Sequence, residues 1–172
     1  VTLHAITVIG HDRPGIIAET TAALGDLGLN LEDSTMTLLR GHFAMMLVCR
    51  GEADQAAVEA GLAGLTADGT LDVSVRAVPD EAPAGPVRAS YVLTVHGADR
   101  IGIVSSVVGR VAEVGGNVTD LTTRLAGGLY LLVAEVDLPD GVDADALTEA
   151  LRSTAGDLGV EATLRELESD DL

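Results

Sequence analysis

Sliding the second half of the chain back by 87 positions brings one set of turn-forming residues onto another, and this internal repeat constrains the fold more than any other feature. Thr7 aligns with Thr94, Gly10 with Gly97, Asp12 with Asp99, Arg13 with Arg100 and Gly15 with Gly102. Further on, Gly28 aligns with Gly115, Asn30 with Asn117, Asp33 with Asp120 and Gly41 with Gly128. The matched residues are those that turn or cap a chain. Core positions match in kind, as with Phe43 and Tyr130 or Leu71 and Leu158. Such self-similarity marks a duplicated unit, so the 172 residues are expected to form two small domains. Three of the five prolines lie in Pro79 to Pro86, which reads as a stiff extended linker. The expected boundaries are a first domain over 1–78, a linker over 79–87, a second domain over 88–168 and an acidic tail over 169–172.

Each half reads alike. A β-branched strand over 2–9, or 89–96, leads into a helix over about 14–27, or 101–114, with Ile16, Ile17, Leu24 and Leu27 at helical spacing. Gly28 and Gly115-Gly116 are expected as left-handed caps that end these helices. Two strands then meet at Arg40-Gly41 or Gly127-Gly128, dipeptides suited to a tight hairpin. The third strand, Phe43 to Cys49 or Leu129 to Val136, is nearly continuous apolar, which predicts a central position. A second helix carries Val58, Leu62 and Leu65, or Leu147, Ala150 and Leu151, with Asp143 as an N-cap. The last strands alternate, with Leu71, Val73, Val75 and Ala77 inward in one half and Val160, Ala162 and Leu164 inward in the other. The fold class is therefore α+β: two ferredoxin-like βαββαβ units, each an antiparallel sheet with both helices on one face.

The turn after the first strand is the candidate functional element. It reads Gly10-His11-Asp12-Arg13-Pro14-Gly15-Ile16-Ile17, and recurs as Gly97-Ala98-Asp99-Arg100-Ile101-Gly102-Ile103-Val104. Asp12 is expected to N-cap the helix, Pro14 to sit in its first turn, and Gly15 to let another molecule approach the backbone. Free N–H groups at such an end suit a carboxylate or phosphate, although a capped helix start also occurs without any ligand, and Arg13 suits an ion pair with a nearby acid as well as with a ligand carboxylate.

Composition removes several classes of function. With 27 acidic side chains against 10 basic ones, all arginine, the net charge of -17 would repel a phosphate backbone, so no direct contact with nucleic acid is expected. No tryptophan, one phenylalanine and two tyrosines leave little for base stacking. Apolar runs of about six residues are far short of a membrane span, and a cytoplasmic protein is expected. Cys49, the single cysteine, reads as a small buried hydrophobe. His4, His11, His42 and His96 show no metal-ligand spacing, and no nucleophile-base pair or phosphate-binding loop can be assembled, so neither metal, cofactor nor catalysis is expected.

A βαββαβ unit with a Gly-x-Asp-Arg-Pro-Gly-Ile turn after strand one, and Gly28-Leu29-Asn30-Leu31 opening strand two, resembles an ACT domain. Two in tandem cover nearly the whole chain, an arrangement similar to the glycine cleavage system transcriptional repressor group. The resemblance implies a regulatory module that binds an amino acid where two copies meet. Carried over by position, it implicates Asp12, Arg13, Pro14, Gly15, Ile16, Ile17 and Asn30 in the first half, and Asp99, Arg100, Gly102, Ile103, Val104 and Asn117 in the second. The second copy departs from the pattern, since Ile101 stands at the position of Pro14 and Ala98 at that of His11. The first turn is accordingly expected to be the better organised site, with ligand depending more on Asn30 than on Asn117. Three functions fit: a free-standing amino-acid sensor of the glycine or serine class that acts as a homodimer on a protein partner; a regulatory piece of an enzyme such as a serine phosphatase or formyltetrahydrofolate deformylase; or a pure dimerisation module.

Overall fold

The computed structural model describes residues 1–80 and 89–167. These fall into two compact units, residues 1–82 and 83–172. Pro83 and Pro86 of the expected linker, and the tail over 169–172, lie outside the described residues.

In the first unit the elements are β1 (Thr2–His11), α1 (Ile16–Asp26), β2 (Asn30–Leu39), β3 (His42–Gly51), α2 (Gln55–Leu62) and β4 (Leu71–Val78). A short 3-10 turn, Ala63–Thr66, follows α2 and buries Leu65. The second unit repeats the order as β5 (Ala89–Ala98), α3 (Ile103–Glu113), β6 (Asn117–Ala126), β7 (Leu129–Leu138), α4 (Ala144–Asp157) and β8 (Val160–Glu166). Each sheet is antiparallel, ordered β2-β3-β1-β4 and β6-β7-β5-β8. This is the ferredoxin-like arrangement expected in both halves.

The first four elements of the two units keep the 87-residue offset at every boundary. Their shared turns are backbone devices. Leu29 N–H bonds Leu24 O at 3.0 Å and Gly28 N–H bonds Gly25 O at 2.9 Å. Gly116 N–H to Val111 O and Gly115 N–H to Ala112 O, both 2.9 Å, repeat the pattern. Each pair closes a Schellman cap, for which Gly28 and Gly115 supply φ of 69° and 75°. The hairpins turn through Arg40 and Gly41 (φ 51° and 84°) and through Gly127 and Gly128 (59° and 82°), the two positive φ values of a type I′ turn.

After β3 and β7 the offset changes. Asp54 and Asp143 both N-cap the second helix, accepting from Ala57 N–H at 2.8 Å and Ala146 N–H at 2.9 Å, and they stand 89 positions apart. Two extra residues in Pro139 to Val142 account for the change. As a result Gly10 opposes Leu71 while Gly97 opposes Val160, so the counterpart of Leu71 is Val160, and the match of Leu71 with Leu158 is corrected.

Each core lies between one sheet face and its two helices, with Ile6, Val8, Leu47, Val58 and Leu62 buried in the first unit and Leu93, Val95, Val107, Leu132 and Leu151 in the second. Cys49 lies in this layer, and burial pushes its thiol pKa up, which keeps it protonated. β3 is central as expected, yet it alternates buried and exposed, with Met46 47% exposed on the face that carries no helix. Ala77, expected inward, is exposed, although its N–H reaches Gln55 Oε1 at the start of α2 at 3.3 Å.

Candidate functional site

The turn that joins β1 to α1 is held from both sides. His11 N–H bonds Thr70 O at 3.1 Å, and Asp12 N–H bonds Gly41 O of the hairpin at 3.0 Å. In the second unit Asp99 N–H reaches Gly128 O at 3.4 Å. Gly10 allows this closeness, since a Cβ there would lie 2.1 Å from Thr70 O and 2.9 Å from Leu71 Cα. The Gly97 equivalent would meet Val160 Cα at 2.9 Å.

The helix starts later than the sequence suggests. Its N-cap is Gly15, at φ 93° and ψ -9°, not Asp12, and no side chain caps it. Gly102 repeats this at φ 92° and ψ 2°. Pro14 therefore precedes the helix rather than sitting in its first turn. The physical reason is the left-handed glycine: it turns the chain so sharply that an acid three residues earlier lies outside the helix, whereas a side-chain cap needs an extended residue at that place. The first intrahelical bonds are Glu19 N–H to Gly15 O and Ser106 N–H to Gly102 O, both 2.9 Å. The amides of Ile16, Ile17 and Ala18, and of Ile103, Val104 and Ser105, precede them and have no partner within the helix.

Beside each turn lies an open hollow. The first, about 410 Å³, is lined by Asp12, Arg13, Gly15, Ile16, Ile17 and Ala18 together with Met36 and Phe43. The second, about 340 Å³, is lined by Asp99, Arg100, Gly102, Ile103, Val104 and Ser105 together with Tyr130. The structure thus brings most candidate residues of each half together, and adds side chains from the hairpin that sequence reasoning missed. Phe43 and Tyr130 were legible as repeat partners, but nothing in the sequence set them against the turn.

Asn30 and Asn117 are not part of these hollows. Asn30 opposes Arg50, which opposes Leu3, whereas the turn leaves the sheet beyond Gly10. Seven residues of strand separate the two ends, about 23 Å at the usual rise. The helix carries the chain back along the sheet, so the start of β2 and the end of β1 must lie at opposite ends of one unit.

The arginines differ. Arg13 grips Glu19 with two parallel hydrogen bonds, Nη1 to Oε1 at 2.8 Å and Nη2 to Oε2 at 2.7 Å. Nη1 also donates to Pro14 O at 3.3 Å. The hydrogen bond to Glu19 raises the Arg13 pKa, and the same bond holds the Glu19 carboxyl below the usual carboxylate range. Arg100 donates to Asp99 O at 3.3 Å and forms no ion pair among the described residues. The position equivalent to Glu19 is Ser106.

A family description of the ACT domain matches residues 4–76 and 90–165. The chain belongs to the ACT-domain family. Among solved structures, an unknown protein from Galdieria sulphuraria is similar at 28% identity and a TM-score of 0.80, over 96% of this chain and 98% of that one. A structure named as that of a glycine cleavage system transcriptional repressor shares the fold at 17% identity and a TM-score of 0.71, over 96% and 97%. The UPF0237 protein SMU_72 of Streptococcus mutans is 44% identical over 50 residues, 29% of this chain and 57% of that protein. The UPF0237 protein MK1213 of Methanopyrus kandleri is 50% identical over 54 residues, 31% and 60%. The chain therefore spans less than two thirds of the length of these curated relatives. Its fold and family are those of ACT regulatory domains. Among the described residues no helix is long and apolar enough to cross a membrane, and no three His, Cys, Asp or Glu side chains gather as metal ligands.

Proposed function

We propose that this ACT-domain protein is a non-catalytic cytoplasmic regulator, with modules over 1–78 and 88–168, that binds a small amino acid of the glycine or serine class and controls a protein partner. The observation that carries the reading is the paired geometry: in both units of an ACT-domain chain, a left-handed glycine, an arginine and three helix amides without an intrahelical partner border one open hollow. An amino-acid carboxylate suits the amides and the arginine, and its ammonium needs an acceptor such as the side-chain oxygen of Asn30 or Asn117. Because about 23 Å separates turn and Asn within one unit, that acceptor comes from a second ACT unit, which a homodimer would supply. The exposed Leu31, Met36 and Leu38 on the edge strand β2 support such an association. The net charge of -17 favours a protein partner over DNA.

A thermal-shift screen of the full chain with the common amino acids at millimolar concentration tests this. A ligand of about five heavy atoms, at a ceiling of about 1.5 kcal/mol per atom, reaches a Kd no tighter than a few micromolar. Glycine or serine at 100 times its Kd adds about 2.7 kcal/mol of stability. If no amino acid moves the midpoint while a nucleotide, folate or peptide does, the reading fails.

A further inference from the structure

The two turns share a backbone and differ in one charge. In the first unit the guanidinium face of Arg13 is occupied by Glu19, whose two carboxylate oxygens accept from Nη1 and Nη2 at 2.8 and 2.7 Å. This is the bidentate geometry in which arginine takes the carboxylate of a small molecule. Glu19 also crowds the turn itself, since a Cβ built on Gly15 would find Glu19 Oε1 at 3.1 Å, whereas one on Gly102 meets nothing nearer than Ser105 Oγ at 3.8 Å. In the second unit Ser106 replaces the carboxylate, and Arg100 is exposed, with only its Nη1 engaged among the described residues.

We infer that Glu19 is a built-in competitor at the first turn, so that a carboxylate ligand is taken first at Arg100 of the second unit and reaches Arg13 only by displacing Glu19. This rests on the amino-acid reading of the two hollows and adds the order of their filling and the residue that sets it. It inverts the ranking expected from Pro14, because a stiffer turn does not help a ligand whose arginine is already paired. The pair is surface-exposed, with side-chain exposures of 31% and 51%, so the competition is modest. A two- to fivefold weaker first site is the expected order of magnitude, about what an exposed ion pair contributes.

The test uses the full chain and two readouts. Phenylglyoxal modification, mapped by peptide mass spectrometry without ligand, should label Arg100 several times faster than Arg13. Glu19→Gln should bring Arg13 up to the rate of Arg100, and Ser106→Glu should slow Arg100. With L-serine and glycine as probes, protection of Arg100 should need about two- to fivefold less ligand than protection of Arg13, and Glu19→Gln should close that gap. Equal labelling in the parent chain, or loss of binding in Glu19→Gln, overturns the inference while leaving the amino-acid reading intact. If the labelling rates differ as stated and no amino acid protects either arginine, the amino-acid reading falls and takes the filling order with it.

Discussion

The first fifty residues of one unit and their counterparts in the other keep every turn in place and change much of what lies between. Ile6 becomes Leu93, Leu47 becomes Ala134, Cys49 becomes Val136 and Thr20 becomes Val107, all buried. Thr20 compensates for its burial by donating to Ile16 O at 2.7 Å, a bond that Val107 does without. A core tolerates such exchanges when total volume is kept, whereas a position that needs positive φ or a missing Cβ has one solution. The comparison therefore separates two kinds of constraint. Gly10, Gly15, Gly28 and Gly41 and their partners hold the backbone path, while Arg13 with Glu19, against Arg100 with Ser106, shows the same path carrying different electrostatics.

The largest expected effect breaks the shared path itself. Gly10→Ala forces a methyl against Thr70 O and Leu71 Cα, both backbone, so β4 must shift away from β1. Gly97→Ala drives the same methyl onto Val160, at a φ of 153° that a side chain seldom adopts. Each should cost about 3 kcal/mol, the upper part of the usual range for overpacking. Because each unit has its own core, hydrogen exchange should show the loss confined to the unit that carries the change. A loss spread evenly over both units would mean that the halves are not independent, and the comparison between them would lose its basis.

A smaller effect sharpens the comparison where the repeat offset changes. Asp54→Ala and Asp143→Ala each remove one side-chain cap and should cost about 1 kcal/mol. The caps are alike but the helices are not: α2 has 8 residues and α4 has 14. Amide exchange in the first two turns should therefore rise further in Asp54→Ala than in Asp143→Ala, since the shorter helix has fewer bonds behind its first turn. Equal fraying would show that packing under Leu62 and Leu151, not helix length, holds these helices.

These features also mark how far the sequence could be read. Glycines at positive φ and the hairpin dipeptides were legible because the backbone admits few alternatives there, and the repeat doubled each signal. The start of the helix was misread because Asp12 and Pro14 look like an N-cap and first turn, and only the conformation of Gly15 shows that the chain bends between them and the helix. The residues lining each hollow from the turn were legible as a motif. That Arg13 pairs with a nearby acid was legible; that the acid is Glu19 was not, because the pairing spans six positions across a bend rather than one helical turn. Asn30 was legible as a repeated residue, but its distance from the turn follows from topology, which spacing along the chain does not encode.

The smallest expected effect bears on the charge that distinguishes the two turns. The hydrogen bond from Arg13 lowers the Glu19 pKa below its ordinary value, so the folded protein holds this carboxylate ionised to lower pH than the unfolded chain does. A group with a depressed folded pKa contributes its stability above the unfolded value, and loses it as pH falls through the folded one. The difference in stability between the parent chain and Glu19→Gln should thus favour the parent near neutral pH, shrink below about pH 4.3, and vanish once both carboxyl forms are protonated. It should also fade in 1 M salt, because the pair is open to solvent. Urea unfolding of the two proteins across pH checks this, with exchange in α1 as the local readout. No such pH-dependent step should be found at the start of α3, where Ser106 cannot titrate. If the parent's advantage instead grows on acidification, Glu19 is not held ionised by Arg13, and the contrast between the two arginines loses its electrostatic cause.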